Sequence, residues 1–124
     1  MRTSIELMQA AYDQIADDYD RRSVYMRAPQ RRLTAALQLT PGLRCADLGC
    51  GTGLETLDML QRVTPGEVVA VDCSSGMLEA AVRRARDSGL SLTTSCLGAE
   101  EFIAESEPER FDVVTLRFCL GYLD

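Results

Sequence analysis

Histidine is missing altogether from these 124 residues. Its absence removes the commonest general base, and no catalytic residue can be named from the sequence. Closely spaced cysteine pairs such as C-x-x-C are missing as well. Cys50, Cys73, Cys96 and Cys119 recur at a steady interval, which raises thiolate ligation as an alternative. The lack of close pairs and of histidine argues instead for no metal. The five cysteines are odd in number and suit a reducing compartment better than a disulfide framework. No window approaches the eighteen or so apolar residues of a membrane span, and Met1–Ala10 lacks the apolar run of a signal peptide. A cytoplasmic location and no membrane partner are expected. Basic charge is also scarce, with a net charge of -6. That balance opposes binding to a phosphate backbone, so no nucleic-acid partner is expected. The arginine pairs Arg21-Arg22, Arg31-Arg32 and Arg83-Arg84 read as solvated helix faces. No linker, repeat or low-complexity tract divides the chain, and 46% hydrophobic residues suffice for one core. A single domain over 1–124 is the expectation.

The first part of the chain is helical in pattern. Ile5, Met8, Tyr12, Ile15 and Tyr19 form one apolar stripe, started by a capping box at Thr3-Ser4-Ile5-Glu6. A second helix begins near Pro29, carries Leu33, Ala36 and Leu37 inward and stops before Thr40-Pro41-Gly42. These are two N-terminal helices within 1–40.

From 41 onward the period changes. Leu43–Leu48, Val68–Val71, Leu90–Leu97 and Phe111–Leu116 read as strands bounded by turn or capping residues. Between the first two lies a helix with Leu54, Leu57, Leu60 and Val63, and between the next two a helix with Met77, Leu78, Ala81, Val82 and Ala85. The third link, Ala99–Glu107, is short and acidic, with Phe102 and Ile103 as its inward contacts. Strands and helices in alternation predict an α/β fold, a doubly wound parallel sheet with helices on both faces.

Chemistry concentrates in two places. Asp47-Leu48-Gly49-Cys50-Gly51-Thr52-Gly53 lies where the first strand runs into the first helix of the sheet. Glycines there let the backbone turn sharply and approach a ligand, and the helix start that follows favours a negative group such as a carboxylate. The spacing is G-x-G-x-G rather than the dinucleotide G-x-G-x-x-G, which disfavours NAD. Asp47 at the strand end can reach an ammonium group. The second place is Asp72, which ends the second strand about twenty residues beyond the loop, where a carboxylate can accept from two ribose hydroxyls.

Loop and acid together make the chain resemble the class I S-adenosylmethionine-dependent methyltransferases, whose first motif is D/E-x-G-x-G-x-G. Asp72-Cys73-Ser74-Ser75-Gly76-Met77-Leu78 is similar to that family's D-x-S-x-x-M-L segment, and Phe111-Asp112-Val113-Val114 to its fourth strand. The stretch from Tyr12 to Asp20 resembles the Y-D-x-x-A-x-x-Y-D opening of its small-molecule members. The resemblance implies a Rossmann-like core with strand order 3-2-1-4 and S-adenosylmethionine as cofactor. It implies a methionine moiety held by Asp47, Gly49, Cys50, Gly51 and Gly53, ribose held by Asp72, and adenine near Cys73, Met77 and Ala99. Glu100 or the Ala99 backbone would serve the adenine amino group, because Gly98 stands where the family often has an acid. Tyr19 would cover the site, and Arg117 would flank the reacting methyl group. Further strands would follow the fourth in the family, so the chain is expected to lack them and to leave that strand as an edge for a second copy or a partner chain.

Each assignment has a plainer counterpart. Tyr12 and Tyr19 lie on an apolar stripe and could be core, Cys73 and Met77 could simply pack, and Asp72 could cap a turn. Three functions follow from these readings: transfer of a methyl group to a small-molecule acceptor, S-adenosylmethionine binding by an inactive or partner-dependent fragment, or a nucleotide-binding Rossmann-like domain.

Overall fold

The computed structural model describes residues 6, 7, 9–11, 13 and 27–116. The described elements run α1 (Arg27–Ala36), β1 (Arg44–Leu48), α2 (Leu54–Val63), β2 (Glu67–Val71), α3 (Ser75–Asp87), β3 (Thr93–Ser95), α4 (Ala99–Glu105) and β4 (Val113–Leu116). The four strands form one parallel sheet in the order β3-β2-β1-β4. This is the order that the resemblance implied. Of the first expected helix, residues 6, 7, 9–11 and 13 are helical, while Tyr12 and Tyr19 lie outside the described residues.

β1 and β2 occupy the middle of the sheet, which explains why Cys45–Leu48 and Val68–Val71 are apolar at nearly every position and buried on both faces. On one face Cys45 and Val68 meet Met59, Leu60 and Val63 of α2 and Ala85 of α3. On the other, Ala46, Leu48, Val69 and Val71 meet Ala99, Phe102 and Phe111. Helices therefore cover both faces. Burying a side chain such as Met59 or Val63 contributes about 1.5–3 kcal/mol, and these contacts hold the sheet under its helices.

Four expectations need correction. β3 spans three residues rather than Leu90–Leu97, because it is an edge strand and Leu90 and Leu92 pack down against the core instead of continuing the ladder. β4 is likewise shorter at its start, since Asp112 turns its carboxylate to Arg44 before the ladder begins. Ile103 does not face inward: it is 58% exposed, and Phe102 carries the contact, tilted against Phe111 at 5.7 Å between ring centroids. In α1 the inward residue is Thr34, hydrogen-bonded to Glu55 of α2, whereas Leu33 is 44% exposed and Ala36 is also exposed.

Candidate functional site

β1 and β2 end level with one another, Leu48 beside Val71. The loop that leaves β1 therefore turns directly over the end of β2. The Gly49 and Cys50 N–H groups both donate to the Val71 carbonyl, at 2.7 and 3.1 Å. Gly49, Gly51 and Gly53 have φ of 74°, 58° and 85°, a region that residues with side chains seldom enter. A turn this tight needs all three.

Asp72 joins the loop to the next turn. Its Oδ2 accepts from the Gly51 N–H at 3.0 Å and its Oδ1 from the Ser74 N–H at 3.0 Å. Each carboxylate oxygen has room for a further donor. Burial pushes the Asp72 carboxyl above its ordinary value, while the N–H groups of Ser74 and Gly51 pull it back and the Asp47 charge raises it further. A half-buried carboxylate in this state is a strong acceptor for sheltered hydroxyl donors.

Gly53 serves packing as well as the turn. A Cβ there would lie 2.7 Å from Ala81 Cβ, so the absence of a side chain lets the start of α2 close on α3. Arg84 of α3 returns to the same loop, its Nε donating to the Thr52 carbonyl at 3.1 Å.

The expectation that Asp47 reaches an ammonium group directly is corrected by its surroundings. Asp47 has 0% exposure, and its two oxygens accept from Thr56 Oγ1 at 2.7 Å and Thr115 Oγ1 at 2.6 Å. It ties β1 to α2 and β4 beneath the glycine loop and presents no surface to a ligand. Met77, expected near the adenine, is 1% exposed and packs in the interior at the start of α3.

Cys50 and Cys73 are buried beside the glycine loop and Asp72, and burial raises both thiols, Cys73 to about 11 and Cys50 well above its usual value. Both are neutral thiols at pH 7, which gives them no nucleophilic character. Cys96 is exposed at the end of β3, and its Sγ lies 3.7 Å from the Cys73 carbonyl. Ala99 is half-buried against the sheet and Glu100 is exposed in the first turn of α4. Thus Gly49, Cys50, Gly51, Asp72 and Cys73 lie together at the carboxyl ends of β1 and β2, with Ala99 and Glu100 opening the helix beyond β3. Tyr19 and Arg117 lie outside the described residues. Among the described residues no three histidine, cysteine or acidic side chains are set to hold a metal ion.

Thr56 and Thr115 carry no signal in the sequence, and Arg84, read there as part of a solvated helix face, is half-buried and bonded to the loop. Asp13 belongs to the Tyr12–Asp20 stretch and Ser74 to the Asp72–Leu78 segment, and no sequence pattern signals that they meet. Asp13 Oδ1 accepts from the Ser74 hydroxyl and from the Gly76 N–H.

Residues 45–124 match the family model described as "Methyltransferase domain". The chain is 38% identical over 85 residues to a demethylmenaquinone methyltransferase of Symbiobacterium thermophilum, covering 64% of this chain and 34% of that protein. It is 30% identical over 119 residues to a 2-phytyl-1,4-naphtoquinone methyltransferase of Trichormus variabilis, covering 91% and 52%. Among solved structures it is similar to a SAM-dependent methyltransferase from Thiobacillus denitrificans in complex with S-adenosyl-L-homocysteine, with TM-score 0.54 and 26% identity over 68% of this chain and 34% of that one. The chain spans between about a third and a half of the curated relatives it matches.

Proposed function

This chain belongs to the class I S-adenosylmethionine-dependent methyltransferase family, and from that premise we propose that it is the cofactor-binding part of an enzyme that methylates a small-molecule acceptor. The observation that carries the proposal is the single carboxylate of Asp72, which is bonded to the glycine loop on one side and to the β2–α3 turn on the other. A ribose diol meeting that carboxylate would lie beside a loop whose glycines leave room for the rest of the ligand.

The donor set fits such a ligand. Asp72 accepts hydroxyl protons, Gly49, Cys50 and Gly51 shape the turn, and Cys73, Ala99 and Glu100 border the adenine end. Tyr19 and Arg117 are proposed as additional contacts. Asp47 acts from beneath, by fixing the end of β1. When bound, S-adenosylmethionine supplies a methyl group already made electrophilic by its sulfonium, so the protein's task is alignment. Holding two reactants in line supplies roughly 7–11 kcal/mol of the barrier. Asp72 and the glycine loop would hold the cofactor so that the methyl group it supplies faces the electron pair of the acceptor.

The named relatives support a quinol-like or other small aromatic acceptor, and the acidic balance of the chain argues against nucleic acid. Among the described residues no helix is long and apolar enough to cross a membrane, in keeping with a proposed cytoplasmic site of action. Calorimetric titration with S-adenosylhomocysteine, with NAD as competitor, tests the cofactor reading. Saturable binding that NAD does not displace is expected. Displacement by NAD, or no binding of S-adenosylhomocysteine, overturns it. Transfer of a labelled methyl group to a panel of naphthoquinols then tests the acceptor class.

A further inference from the structure

Asp13 lies in the N-terminal segment, far in sequence from the sheet, yet its side chain meets the start of α3. Its Oδ1 accepts from the Ser74 hydroxyl and, at 2.8 Å, from the Gly76 N–H. The approach is close: a Cβ added to Gly76 would lie 3.1 Å from Asp13 Cα. Ser74 is the N-cap of α3, its Oγ accepting from the Met77 N–H at 3.2 Å while its own N–H donates to Asp72 at 3.0 Å. Asp72 in turn accepts from the Gly51 N–H at 3.0 Å. An unbroken series of hydrogen bonds therefore runs from Asp13 through Ser74 and Asp72 to the glycine loop.

We infer that Asp13 is a positioning residue for this site, fixing the β2–α3 turn from outside the sheet so that Asp72 is held in the orientation its ligand requires. With Asp13 in place the Ser74 hydroxyl proton is committed outward and its lone pair faces Met77. Without it the hydroxyl is free to rotate, Gly76 loses an acceptor, and the turn that aims Asp72 loosens. The inference rests on the reading of Asp72 and the glycine loop as the S-adenosylmethionine site, and its test separates the two.

The experiment uses the full chain with Asp13→Ala and Asp13→Asn, the second of which keeps an acceptor oxygen without the charge. S-adenosylhomocysteine is titrated calorimetrically into each, alone and in an Asp72→Ala background. Asp13→Ala should weaken binding about tenfold, Asp13→Asn should restore it to within about twofold, and the loss should vanish once Asp72 is gone. Unchanged affinity in Asp13→Ala, or losses that add with Asp72→Ala, would overturn the inference. Amide hydrogen exchange gives a readout that needs no ligand: Asp13→Ala should speed exchange at Gly51 as well as at Ser74 and Gly76. Faster exchange confined to Ser74 and Gly76 means a local cap with no reach to the loop, and the inference fails. Wild-type protein that does not bind S-adenosylhomocysteine overturns the cofactor reading instead, and the Gly51 amide then decides this one.

Discussion

The carboxylate of Asp72 sits partly out of water, and that burial is the largest influence raising it above 3.8. In the unfolded chain the group ionises at its ordinary value, so as pH climbs from 3.8 toward the raised value the folded state loses stability, and below 3.8 the penalty is absent. Hydroxyl donors on a ligand favour the ionised form. Affinity for S-adenosylhomocysteine should therefore rise through that same window and level off above it, which calorimetry between about pH 4 and 7 would show. Asp72→Ala should bind at least about tenfold more weakly, a loss of ~1.4 kcal/mol, and should flatten the profile. A variant that keeps its affinity and pH response would remove Asp72 from the ribose contact. Asp47→Ala should act on stability instead: it removes the buried acceptor of the Thr56 hydroxyl and leaves that of Thr115 only the longer contact to the Ala46 carbonyl at 3.4 Å, a loss of about 1–3 kcal/mol seen as a lower unfolding midpoint. Both acids were legible in the sequence, one from its place before the glycines and the other from its distance beyond them. Their different employment was not, because the burial of Asp47 depends on β4 docking beside β1, a register that sequence does not display.

At the scale of elements, the third glycine of the loop separates packing from ligand approach. Gly53→Ala puts a Cβ 2.7 Å from Ala81 Cβ at a φ of 85°, and overpacking of this kind costs about 1–3 kcal/mol. Thermal unfolding should show a clear fall in Tm, whereas Gly98→Ser, with nothing within 4 Å and a helix N-cap to occupy, should stay within about 0.5 kcal/mol of the parent. Equal effects at both positions would contradict the packing role. The long helices α2 and α3 were legible because their apolar residues recur at three and four, and β1 and β2 because central parallel strands are apolar throughout. The edges were harder to read. Leu90 and Leu92 extend an apolar run past the end of a three-residue strand, since a leucine packs as well from a loop as from a ladder. Thr34 was passed over in α1 because a threonine that meets Glu55 of the neighbouring helix leaves no mark in an apolar pattern.

Taken as a whole, the described sheet is closed at its centre, where β1 and β2 are covered on both faces. β4 is an edge of the described sheet, and Val114 and Leu116, at 52% and 43% exposure, share its outer face. An apolar edge strand is prone to pair with another strand, and we propose that self-association of this chain, if it occurs, runs through β4. Leu116→Lys should reduce it, as static light scattering over a dilution series would report; equal scattering from both proteins would show that this edge is not the contact. The strand order was legible only through the resemblance to a known family, since alternation of strands and helices gives a parallel sheet without saying which strand stands at the rim. Two ion pairs among the described residues stand at the opposite end of the sheet from the glycine loop. Arg44 at the start of β1 grips Asp112 with its backbone N–H at 2.9 Å and its guanidinium at 3.2 Å, and Arg110 lies 2.6 Å from Glu67 at the start of β2. The charges that fasten the strands together are thus a full strand length from the carboxylate proposed to grip a ligand. Substitutions among these part-exposed charges should therefore leave ligand selectivity untouched at little cost in stability, whereas at the crest, where Asp47 and Gly53 underlie the loop, a change that alters binding also tests the fold.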